Sequence, residues 1–204
     1  MTKRDDLKRS VFLNNYRGQS PIIFQKKNSR GQVWVETVIY LLIAFVMMGL
    51  VLSFIRPKIE ELRDKTIIEQ SLEIIKEIDN SIITIGSSGN KRLVEVGIRK
   101  GSLIIDSEND DIIFEMESRY IYTETNTATE SAKIVQIGNI QALTEKAGRS
   151  YLVTLKRDFS DEYNLTYNDA ETLKTLTKAS NPYRLFFTNK GESSDKIVID
   201  FNTE

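Results

Sequence analysis

The feature that most constrains this chain is a 24-residue run, Gln32 to Ile55 (QVWVETVIYLLIAFVMMGLVLSFI), with a single charged side chain, Glu36. As a helix rising about 1.5 Å per residue it is roughly 36 Å long, more than the ~30 Å hydrocarbon layer of a bilayer. A helix that packs onto a soluble core keeps a polar face toward water, and this run has none. It is therefore expected to cross a membrane once. A secretory signal peptide has a shorter apolar core with a small-x-small cleavage site after it, whereas this run ends in Phe54-Ile55-Arg56-Pro57. The stretch that looks cleavable, Ser29-Arg30-Gly31-Gln32, lies before the run.

Charge is distributed unevenly about that run. Residues 1–31 hold eight Lys/Arg against Asp5 and Asp6, a net +6, so the remainder of this −1 chain carries −7. A basic arm of this kind suits nucleic acid or anionic lipid, and its junction with an apolar helix favours lipid, so no nucleic-acid partner is expected. Lys and Arg within 15 residues of the run tie at four on each side. The four further cations of the leader tip the orientation toward a cytoplasmic N-terminus. The chain has no histidine and no cysteine. That removes Ser-His and Cys-His catalytic pairs, zinc sites built on these residues, and disulfides.

Beyond Pro57 the apolar residues Ile59, Leu62, Ile68, Leu72, Ile75 and Ile82 recur mostly at helical spacings among acidic and basic neighbours. This predicts an amphipathic continuation with a kink at Pro57, whose stripe needs a downstream sheet as partner. From Ser81 the period changes. Gly86–Asn90 signals a loop, and the short apolar alternations at 94–98, 103–105, 112–116 and 120–122 read as a meander of antiparallel strands, with further strand candidates at 134–137, 151–155, 163–167, 185–187 and 197–201. Asn168-Asp169 is placed to cap a short helix carrying Leu173 and Leu176, ending before Pro182. The predicted class is α+β: a long hydrophobic and amphipathic N-terminal helix, then a mainly antiparallel, sandwich-like β head with one short helix. The divisions are a leader at 1–31, an apolar helix at 32–57, its continuation at 58–80 and a head at 81–204.

Gly31-Gln32-Val33-Trp34-Val35-Glu36, preceded by Lys26, Lys27 and Arg30 and followed by the apolar helix, resembles the class III signal peptide of archaeal type IV pilin-like proteins. The family pattern puts Gln first, Ser third, Glu fifth and Leu ninth in the mature chain; here these positions hold Gln32, Trp34, Glu36 and Tyr40, so two of four match. The resemblance implies that a membrane-embedded prepilin peptidase cuts between Gly31 and Gln32. It further implies that a cytoplasmic assembly ATPase, acting through a membrane platform, packs the apolar helices of many pilin subunits into an extracellular filament. Head domains then coat the outside, for adhesion or a related surface role. Gln32 and Glu36 are the implied assembly residues.

Glu36 also stands out on physical grounds alone. A carboxylate within a membrane helix costs ~2.5–3.5 kcal/mol on insertion scales, so it calls for a partner or a job. A new ammonium at Gln32 would supply the partner; alternatively Glu36, four residues from the polar boundary, reaches the headgroups. Trp34 fits an interfacial anchor, and Gly49 is a lone small residue within the helix. Asn164-Leu165-Thr166 is a glycosylation sequon, too short a pattern to signal export by itself. The acidic run Glu108-Asn109-Asp110-Asp111 lacks a Gly-bearing ligand loop and reads as a solvated turn, so neither a metal nor another cofactor is expected. Two other functions compete with a filament subunit: an uncleaved single-pass anchor with a binding head, and a tethered enzyme limited to carboxylates, Lys, Tyr and Ser. The second lacks any placed pair of acids, and no catalytic residue is assigned.

Overall fold

The computed structural model describes residues 30–124 and 133–203. The leader cations before Arg30 lie outside the described residues. Helix α1 (Arg30–Ile83) runs for 54 residues and continues through Pro57, which removes one backbone donor without ending the helix. The chain divides into two units, Met1–Leu50 and Val51–Glu204. The first holds most of the apolar run; the second holds the rest of α1 and all the described strands.

The described strands of the second unit are β1 (Lys91–Val96), β2 (Ser102–Asp106), β3 (Asp111–Ser118), β4 (Val135–Ile137), β5 (Ile140–Ala147), β6 (Ser150–Asp158), β7 (Tyr163–Tyr167), β8 (Leu173–Thr177), β9 (Tyr183–Ser193) and β10 (Lys196–Thr203). They form a four-stranded sheet in the order β1-β9-β10-β7 and a six-stranded sheet in the order β4-β5-β6-β3-β2-β8. All pairings are antiparallel except β7 with β10. The fold is α+β.

Period-two alternation sets the core face of each strand. On β3 the buried apolar residues are Ile112, Phe114 and Met116; Leu103 and Leu155 flank Phe114 from either side. In the other sheet Val94 faces Leu185, and Phe187 meets Phe201 edge to face at 5.2 Å. Helix α1 adds Ile68, Leu72, Ile75, Ile78 and Ile82, spaced by three or four residues and buried in the same cluster as both sheets. From Ile68 to Ile82 the apolar stripe thus finds its sheet partner, whereas Ile59 and Leu62 at its start stay exposed. Two carboxylates secure it: Asp79 pairs with Arg157 on β6 at 2.7 Å, and Asp64 accepts from Lys100 Nζ at 2.6 Å and from the Arg119 backbone N–H at 2.8 Å.

Four sequence expectations need correction. The short helix after Asn168-Asp169 does not form: Asn168 and Asp169 adopt left-handed φ of 54° and 59° in a turn, and Leu173–Thr177 is strand β8, paired with β2. Leu173 and Leu176 are not one apolar face, because Leu173 is 57% exposed and only Leu176 is buried. Residues 120–122 are not a strand. The Ser118 hydroxyl accepts the Tyr120 N–H and donates to the Tyr120 carbonyl, while Asp64 takes the Arg119 N–H, which removes the groups a ladder needs. The first strands do not form a meander: β2 and β3 pair as one requires, but β1 lies in the other sheet beside β9. Finally, the Glu108–Asp111 turn is solvated only in part: Glu108 and Asn109 are exposed, whereas Asp111 is buried.

Candidate functional site in the apolar helix

From Val33 to Ile55 every described side chain of α1 is exposed, including Trp34 at 72% and Phe54 at 77%. Leaving such a surface in water is unfavourable in proportion to its area. It is the one helix among the described residues long and apolar enough to cross a membrane. Gly31 and Gln32 lie in its first turn. Gly49 has open space around it: a Cβ added there meets nothing within 4 Å.

Glu36 has a partner within its own helix. The Tyr40 hydroxyl, one turn on, donates to Glu36 Oε1 at 2.9 Å, and the Thr37 hydroxyl donates back to the Val33 carbonyl at 2.9 Å. In a dry surrounding the Tyr40 bond satisfies one lone pair of the carboxylate and lowers the penalty of its burial without supplying countercharge. Tyr40 stands where the pilin pattern has Leu, so the departure from the pattern provides the donor. Both residues stand out in the sequence and their contact does not, although the i, i+4 spacing of Glu and Tyr signals it.

In the head the polar clusters hold structure together. Asp106 Oδ1 accepts from the backbone N–H groups of Glu108 and Asn109, and Oδ2 accepts from the Asn109 amide. The Asn109 amide first, then those N–H groups, hold Asp106 below its ordinary value against the opposing effect of burial. Asp111 behaves oppositely: burial pushes it up, and the Lys156 ammonium at 2.5 Å offsets this only in part. Asp110 Oδ1 accepts from the Leu165 N–H, tying the turn to β7. Among the described residues no group of three or more acidic side chains is arranged to hold a metal ion. Asn164 lies half-buried on β7, an edge strand, opposite Val198, and the hydroxyl of its sequon partner Thr166 donates to Asp200 at 2.9 Å.

Fold and site together define a chain with one membrane-competent N-terminal helix that continues into an α+β head. No protein-family model matches it, and no curated protein or solved structure does either.

Proposed function

We propose that the chain is a pilin-like structural subunit, cut by a prepilin peptidase between Gly31 and Gln32 and assembled by an ATPase and membrane platform into a type IV pilus-like filament of the archaeal kind, serving adhesion at the cell surface. One observation carries this: an apolar helix exposed on every side, bearing a lone carboxylate four residues after Gly31-Gln32 and preceded by a basic leader. A filament core of packed helices is an environment that such a surface fits. In that core Glu36 cannot reach headgroups, and an unpaired charge there is severely penalised. The ammonium released at Gln32 of a neighbouring subunit is the available countercharge, and pairing with it favours one axial register. In the test, cells carrying Glu36→Gln are imaged by negative-stain microscopy. Membrane insertion and cleavage persist while filaments fail or fall sharply; normal filaments in normal number would refute the assembly role.

The Tyr40–Glu36 hydrogen bond supports a second reading, an uncleaved single-pass anchor displaying the β-rich head as a binding domain, because it gives Glu36 a partner that no cleavage is needed to create. Tyr40→Phe separates the two. Under the filament reading the variant assembles normally, since Gln32 of the neighbour holds Glu36. Under the anchor reading there is no filament to lose, and the variant inserts less well.

A further inference from the structure

The apolar run ends at Ile55, and the next helical turns border a cleft of about 680 Å³ within the second unit. Its helix wall carries Ile59, Leu62, Arg63 and Asp64; the β1–β2 turn adds Arg99 and Lys100, and Arg119 and Lys178 close it after β3 and β8. Five cations face two carboxylates, Glu60 and Asp64, in a region that is otherwise part of an acidic chain segment. The carboxylates are committed: Glu60 pairs with Arg119 at 2.7 Å, and Asp64 holds Lys100 and the Arg119 N–H. Arg63, Arg99 and Lys178 are exposed and, among the described residues, have no hydrogen-bond or ion-pair partner. Ile59 and Leu62, one turn apart, are 50% and 56% exposed on the same wall.

The turn that presents Arg99 and Lys100 is fixed by Gly101, whose φ is +82° and where an added Cβ would lie 2.3 Å from the Glu115 carbonyl. Only glycine fits there. Measured along the helix, Ile59 is about 6 Å past Ile55, the depth of one headgroup layer. Unpaired cations that share a cleft with exposed aliphatic side chains at that depth suit a phosphate and the first methylenes of an acyl chain.

We propose that this cleft binds the headgroup of an anionic phospholipid from the leaflet at the Ile55 end of the run. The proposal rests on the apolar run lying in a membrane, and it holds whether or not the chain is cleaved. In the test, the full chain in neutral detergent is titrated with short-chain phosphatidylglycerol, short-chain phosphatidylcholine or inorganic phosphate, with thermal unfolding and lipid retention in native mass spectrometry as readouts. Phosphatidylglycerol is expected to raise the Tm and be retained, and phosphatidylcholine to do neither. Arg63→Gln, Arg99→Gln and Lys178→Gln combined should weaken phosphatidylglycerol binding about a hundredfold, at about fivefold per cation. The charge-keeping set Arg63→Lys, Arg99→Lys and Lys178→Arg should retain it, which separates lost charge from lost folding. Equal retention of both lipids, unchanged binding by the glutamine set, or equal protection by inorganic phosphate would overturn the proposal. So would self-association abolished by the glutamine set without lipid selectivity, which would make the cleft a contact between copies. Flotation with neutral vesicles tests the anchor separately: a chain that floats without selecting phosphatidylglycerol refutes the cleft alone, and one that does not float refutes the membrane reading.

Discussion

The most informative perturbation of the head is loss of its helix. Ile68, Ile75, Ile78 and Ile82 are 0% exposed and Leu72 is 6% exposed, all in the cluster shared with both sheets. Burying one such side chain contributes about 1.5–3 kcal/mol, so the five together contribute roughly 7–15 kcal/mol, an upper estimate that still equals the whole net stability of a typical domain. A fragment of residues 58–204 should therefore melt cooperatively as a soluble β-rich monomer, while 81–204 should not fold. Within 58–204, Ile75→Ala removes a fully buried side chain and should cost about 2–5 kcal/mol, a Tm fall of roughly 5–20 °C. Leu62→Ala, at 56% exposure, should move Tm by about 2 °C or less. Thermal unfolding followed by circular dichroism measures both. If Ile75→Ala and Leu62→Ala melt alike, or if 81–204 melts as a cooperative β protein, the helix is not part of the core.

Two further predictions concern the head. Because Asp106 titrates below its ordinary value of 3.8 when folded, its ionised form stabilises the native state above that pH, and this stability is lost as pH falls from about 3.8 through the folded value. Denaturant melts of Asp106→Asn should show a deficit of roughly 1–3 kcal/mol at pH 7 that shrinks at pH 3 and below; a pH-independent deficit would contradict the carboxylate's role. Gly101→Ala forces a Cβ against the Glu115 carbonyl at a positive φ and should cost at least ~2 kcal/mol, whereas Gly49→Ala, with open space, should leave head stability unchanged in the same melts.

The parts of the fold legible in sequence were those whose periodicity is carried by large apolar side chains. The apolar run, the stripe from Ile68 to Ile82, and strands such as Asp111–Ser118 with Ile112, Phe114 and Met116 announce themselves this way. Strand β5 was missed because its buried face is Ile140, Ala142 and Thr144, two of them small or polar, in a segment rich in helix-forming residues. Strand β8 was mistaken for a helix because Leu173 and Leu176 share a helical spacing that the edge of a sheet overrides. Long-range ties such as Asp79 with Arg157, 78 residues apart, have no local signature. At the candidate site the motif of Gly31, Gln32 and Glu36 rests on the sequence alone, and the Tyr40 contact is legible only once a helix fixes the register.

The central claim is that the apolar helix becomes the new N-terminus of an assembled subunit. Intact mass of the protein purified from its native membrane or surface fraction tests this most directly. The expected mass is that of a chain beginning at Gln32, without the eight cations of residues 1–31. A mass matching residues 1–204 would contradict it and establish the uncleaved anchor instead.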